Sequence, residues 1–228
     1  MSSKSAAAVP WQNEGGSGMA KNSNLALLHK GDGVVLVNSY GPSAIMRREL
    51  GTLAFPTGRV VMCDPHEQHD INDLPRLVFA RTVEPSAYPV TVFFSKNGSY
   101  RTAAFLEVRF SDAEPAKYVA AKTLFDFEHR RKGLLGYPVR NSSVGVMDGS
   151  IFGALCGAER ASAMNDVMEL FDLDDDADIP PRCSVGRSAD GTQVAVSLHV
   201  SSGIYYWYWG LDQKGKPCNL IADFFTFH

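Results

Sequence analysis

YPVTVFFSKNGSYRTAAFLEVRF, residues Tyr88–Phe110, sets two runs of β-branched and aromatic residues on either side of Lys96-Asn97-Gly98-Ser99. Asn-Gly between two such runs is the strongest short-range hairpin signal, because both residues tolerate positive φ. It predicts an antiparallel pair, and with it a sheet built from sequence neighbours rather than from crossover units.

The pattern repeats on both sides. GVVLVNS (Gly33–Ser39) and GRVVMCD (Gly58–Asp64) are β-branched runs bounded by Gly, Pro and Asp. Asp190-Gly191 separates SVGRS from TQVAVSLHV, and Asp212–Lys216 separates YYWYWG from CNLIADFFTF. Such short connections read as an antiparallel meander. PVRNSSVGVMDGSIFG (Pro138–Gly153) reads as strand, then turn.

Two stretches are expected to be helical. In Glu114–Arg131, Val119, Leu124 and Phe127 fall near one face; in Ala158–Leu173, Met164, Val167, Met168 and Phe171 recur at helical spacing. No βαβα alternation is visible. The expected class is α+β, a mainly antiparallel, sandwich-like sheet with two helices in the middle of the chain. Residues 1–23, rich in Ser, Ala, Gly and Asn, are expected to form a flexible tail. Residues 24–228 are expected to form one domain, β-rich over 33–110, helical over 114–175 and a β-meander over 183–227.

Composition narrows the function classes. The 228 residues are 45% hydrophobic and 21% charged with net charge −3, which provides no basic footprint for nucleic acid or an anionic membrane. No apolar run approaches the ~20 residues that span a bilayer, and the start lacks the apolar core of a secretory signal. Cys63, Cys156, Cys183 and Cys218 lie far apart with no CxxC pair, the usage of reduced thiols in a cytoplasmic protein. No cofactor is expected.

Four segments in order resemble a bacterial family of unknown function, DUF4241: PTGRVVMCDP (Pro56–Pro65), YPVTV (Tyr88–Val92), VGVMDG (Val144–Gly149) and YWGLDQKGKPCNLIADF (Tyr208–Phe224). The resemblance spans roughly Leu50 to Phe224 and implies a fold and positions of interest, among them Asp64, Asp148, Asp212 and Asp223. It implies no reaction. Members carry a Gly-Asp-Gly turn before the last Tyr-rich strand. Here Tyr205, Tyr208 and Gly210 match the end of that pattern, and Ser201-Ser202-Gly203 replaces the acidic turn.

Several constellations carry candidate chemistry. Asp64, Asp148 and Asp223 form a candidate acidic cluster that, if convergent, could hold a hard cation or share a proton. The competing reading is that each caps a turn by accepting backbone N–H bonds. In CDPHEQHD, Cys63, His66 and His69 are ligand types, yet HEQH is one residue short of the helical zinc motif, and a polar loop without metal is expected. DLDDDAD sets Asp172, Asp174, Asp176 and Asp178 at alternate positions. Ala177 and Cys183 stand where a calcium loop needs Gly and Glu. An exposed acidic loop is expected, with Asp174, Asp175 and Asp176 a candidate steering patch for a basic partner. Ser197, His199 and Ser201 alternate on one strand face, expected to be a solvent-facing polar stripe, and no nucleophile elbow or P-loop is present.

SSGIYYWYWG (Ser201–Gly210) remains. Alternation puts Tyr205, Trp207 and Trp209 on one face and Ile204, Tyr206 and Tyr208 on the other. Either both faces are buried, with indole N–H groups reaching the rim, or Tyr205, Trp207 and Trp209 form an exposed row suited to a protein partner or a small ligand. The expected function is a non-catalytic bacterial protein–protein interaction protein of the immunity type, which binds and neutralises a toxin. The runners-up are a hydrolase around Asp64, Asp148 and Asp223, and a small-molecule or glycan-binding module on Trp207 and Trp209.

Overall fold

The computed structural model describes residues 23–30, 34–38, 41–64, 69–97, 100–129, 131, 136–140, 142–156, 172–173, 183–188 and 190–224. Among them, the Asn-Gly signal marks its hairpin: strands Ser86–Asn97 and Tyr100–Arg109 pair antiparallel down to Asn97 and Tyr100. Numbered along the chain, the described strands are β1 (Val35–Asn38), β2 (Gly41–Phe55), β3 (Arg59–Cys63), β4 (Val78–Thr82), β5 (Ser86–Asn97), β6 (Tyr100–Arg109) and β7 (Lys117–Ala120). They continue as β8 (Gly136–Val139), β9 (Ser143–Asp148), β10 (Asp172–Leu173), β11 (Cys183–Arg187), β12 (Gln193–His199), β13 (Gly203–Leu211) and β14 (Pro217–Asp223).

They form two curled antiparallel sheets in a half-barrel. The first runs β1-β2-β5-β6-β14-β13-β7, with β8 also pairing β13; the second runs β10-β11-β12-β9-β3-β4. The inner faces share one core, in which Phe55, Val90, Leu106, Trp207 and Leu220 of the first sheet join Val61, Val146, Val196 and Leu198 of the second.

The sheets are linked by chain crossings that come in pairs. At one pair, β2 passes to β3 while β4 returns to β5, and Val83 N donates to Gly58 O at 2.9 Å. Gly58 has φ +67, and a Cβ there would collide with the Val83 carbonyl. At the other pair, β8 passes to β9 while β12 passes to β13. There Val200 N donates to Ser142 O at 3.0 Å and Ser202 Oγ donates to Arg140 O at 3.0 Å. Ser142 takes φ +59, a conformation costly for a residue with a Cβ. The expected C-terminal meander is therefore corrected: β11–β12 and β13–β14 are hairpins of different sheets.

The helices differ from expectation. Within 114–131, Lys117–Ala120 is strand β7 on β13, and only Leu124–Glu128 (α3) is helical. Tyr118 and Val119 are good strand formers, and the neighbouring β13 offers them a partner. Thr123 caps α3: Asp126 N donates to Thr123 Oγ1 at 3.2 Å, and Thr123 Oγ1 donates to Asp126 Oδ2 at 2.9 Å. The helix expected over Ala158–Leu173 lies outside the described residues except for Asp172 and Leu173, which are strand. The other described helices are also short: α1 (Ser23–Leu27), α2 (Leu74–Leu77) and α4 (Gly149–Leu155), with 3-10 turns at Leu28–Lys30 and Ile71–Asp73.

A second core lies on the outer face of the first sheet. Leu25 of α1 and Leu28 pack with Leu36, Ile45, Phe93, Phe105, Tyr208 and Ile221.

Candidate functional site

Asp64, Asp148 and Asp223 are all fully buried, but the fold does not bring them together. Val60 of β3 stands opposite Asp148 and Cys63 opposite Gly145. Asp64 and Asp148 therefore occupy opposite ends of one ladder, about 13 Å apart along the strand. Asp223 lies on the other sheet, between Ala222 and Phe224, which enter the inner core. Alternation turns its side chain to the outer face, where its strand partner Phe105 packs.

Asp148 is a cap. Its carboxylate accepts from Ser150 N at 2.8 Å and Ser150 Oγ at 2.6 Å at the start of α4. It also accepts from Thr57 N at 3.1 Å and Thr57 Oγ1 at 2.8 Å. One carboxylate thereby fastens a helix start to the Gly58 crossing. Near Asp64, its backbone N donates to Tyr137 Oη at 3.1 Å, and His69 Nε2 donates to its carbonyl at 2.7 Å. His66 lies outside the described residues, and among those described no three His, Cys, Asp or Glu side chains could hold a metal. Asp174, Asp175 and Asp176 also lie outside the described residues.

The aromatic strand buries its inner face throughout and its outer face at Tyr208, while Ile204 at its start is 57% exposed. Tyr205, Trp207 and Trp209 are 1%, 2% and 1% exposed, and Tyr208 is buried in the outer core. The expected row of contact aromatics is corrected accordingly: no ring of the three meets solvent. Phe79 of β4 lies 5.6 Å from the Trp207 ring and 5.8 Å from Trp209, whose other neighbour is Phe110 at 5.6 Å. The indole N–H groups do not reach the rim; both are buried without a hydrogen-bond partner among the described residues. Tyr205 Oη donates to Ser201 O at 2.6 Å, and burial pushes the phenol up to about 12. The polar stripe also divides: Ser197 is buried against Ser143 Oγ at 2.8 Å, whereas His199 is exposed.

Two groupings were not singled out in the sequence. The first is a polar row across four strands of the first sheet: Arg109, Asn219, Gly210 and Tyr118 lie in register. Asn219 Nδ2 donates to Glu107 Oε1 at 2.6 Å, and Arg109 Nη1 lies 3.8 Å from the same oxygen. Burial, reinforced by Glu107 and Glu114, pushes Tyr118 up to about 12 against the opposing hydrogen bond from Asn219. Its sequence signal is Asn219 and Glu107 set inside apolar strands.

The second is a corner where the Ile71–Asp73 turn, α2 and α3 meet. The Arg76 guanidinium sits 5.1 Å over the Phe125 ring, and His129 stacks on that ring at 3.9 Å. On the same short elements Phe127 is 66% exposed and Ile71 49%, with Phe127 two residues from both Phe125 and His129 and so turned away from their stack. Phe127, expected near one helix face with Val119 and Leu124, points to solvent, and Val119 lies in β7, so the three share no helix.

These features define a β-rich α+β protein with a curled half-barrel sheet. The chain belongs to the family described as Protein of unknown function (DUF4241), whose model matches residues 53–222. No curated protein and no solved structure matches it. Among the described residues, no helix is long and apolar enough to cross a membrane.

Proposed function

We propose that this protein is a non-catalytic protein-binding module of a bacterial cytoplasm, of the immunity type that neutralises a toxin by covering its site. The observation that carries the reading is the α2–α3 corner. The corner's short elements carry the Arg76–Phe125–His129 stack on one face of α3 and, elsewhere, apolar surface in water at Phe127 and Ile71. Aromatic and arginine side chains set together on a rigid support are the chemistry of interface hot spots. The buried carboxylates favour this reading over a hydrolase, since Asp148 is committed to capping and lies a ladder's length from Asp64.

The test is co-expression with the toxin-like product of a neighbouring gene, scored as host survival. Protection by the wild type, lost in a folded Phe127→Asp, Ile71→Asp double variant, is the expected result. A host that dies equally with and without the wild-type protein overturns the reading.

A further inference from the structure

We infer that a cleft between the Gly58–Val83 crossing and the β11–β12 turn receives the side chain of a lysine carried by a protein partner. The cleft has a volume of about 370 Å³, at the lower end of the range for ligand sites. Ala54, Pro56, Pro85 and Val194 supply its apolar walls, and among the described residues that line it Asp190 alone is charged. Both sides are held in place. Phe55 and Ser86 pair at the ends of β2 and β5, so Pro56 and Pro85 flank the crossing that the Gly58–Val83 bond closes. In the turn, Ser188 N donates to Thr192 O at 2.9 Å and Gly191 N donates to Ser188 O at 2.8 Å. Walls already fixed keep the ordering cost of binding low.

The walls and the carboxylate specify the occupant. Ser188 Oγ donates to Asp190 Oδ1 at 2.5 Å, and Thr192 N donates to the same oxygen at 3.0 Å. These bonds, the Ser188 one foremost, orient the exposed carboxylate and pull it down to about 2, so that it is ionised at neutral pH. Among the described residues no Lys, Arg or His forms an ion pair with it. Arg187, the cation of the same hairpin, donates instead to the Gly191 carbonyl at 3.1 Å. One oriented negative charge beside an apolar cleft matches lysine, a point charge on a flexible four-carbon stem. Arginine fits less well, since its fork is strongest on two open carboxylate oxygens and Oδ1 already accepts two hydrogen bonds. The cleft shares no residue with the α2–α3 corner, so the inference does not rest on the function proposed above.

The test is a nuclear magnetic resonance titration of the isotope-labelled full chain with Nα-acetyl-lysine N-methylamide as the probe. Saturable shifts of the Ala54 and Val194 amides are expected. The norleucine analogue keeps the stem without the charge, and Asp190→Asn keeps the turn chemistry without the charge. Each is expected to weaken binding about two- to fivefold, the worth of an exposed ion pair, and the two losses together should not exceed either alone. Added salt should weaken binding of the lysine probe and leave that of the norleucine analogue unchanged. No saturable shift, shifts confined to other parts of the protein, equal affinities for the two analogues, or unchanged binding to Asp190→Asn overturns the inference. Tighter binding of free n-butylamine than of the lysine probe also overturns it, in favour of a small amine. Should Asp190→Asn fail to fold, the comparison of lysine with norleucine on the wild type decides by itself.

Discussion

Gly210 and Asn219 face each other in register on β13 and β14, and Asn219 Oδ1 occupies the space where a Gly210 Cβ would stand. Pro115 Cγ and Tyr118 Cε1 close the same space from the other side, at 2.9 and 3.0 Å. Gly210→Ala must therefore push Asn219 off Glu107, breaking a 2.6 Å hydrogen bond to a buried carboxylate. The expected cost is about 2–4 kcal/mol, combining overpacking with the loss of a charge-assisted bond. Guanidinium denaturation measures it, and an unshifted midpoint would contradict the described packing.

Trp207→Ala or Trp209→Ala should each remove about 3–5 kcal/mol of stability, as large core truncations do. The folded wild type should show blue-shifted tryptophan emission that moves red on unfolding. A variant as stable as the wild type would place these rings outside the core.

Asp148→Ala leaves the amides of Thr57 and Ser150 and two hydroxyls without their acceptor. Loss of a buried multiply bonded carboxylate costs on the order of 3 kcal/mol or more. Thr57→Val keeps the helix cap and should cost less. Equal losses from the two substitutions would show that Asp148 acts at the Gly58 crossing alone.

Alkaline pH supplies an independent reading of burial. Tyr118 and Tyr205 have folded-state values near 12 against an ordinary 10.0. Between these values the unfolded chain ionises and the folded one does not, so their contribution is intact below about pH 10 and is lost as pH rises toward 12. Stability measured across that window should fall, and Tyr205→Phe should flatten the slope. A slope unchanged by both Tyr118→Phe and Tyr205→Phe would place those phenols in water.

The parts of the fold written in adjacent residues were legible. Lys96-Asn97-Gly98-Ser99 and Asp190-Gly191 each mark a real hairpin, because turn chemistry is local. Sheet membership was not, since it depends on crossings whose partners, Ser142 and Ser202, are sixty residues apart. Tyr118 and Val119 fit a helix pattern and a strand pattern alike, and β13 decided between them. The aromatic run could have been read more firmly: Tyr205 to Trp209 contains no polar alternation, the mark of a strand covered on both sides. The capping role of Asp148 was legible from Asp-Gly before an apolar stretch. The outward turn of Phe127 was not, because Val119, expected on its helix face, is held in β7 by β13.

The paired crossings bear on how the chain finds its fold. The Gly58–Val83 crossing joins segments close in sequence, whereas the Ser142–Ser202 crossing must bring together residues sixty apart. Closing the longer loop costs more chain entropy and returns no contacts until both ribbons exist. The first crossing is thus expected to set early and the second last, so that refolding waits on one long-range encounter while the local hairpins form well ahead of it.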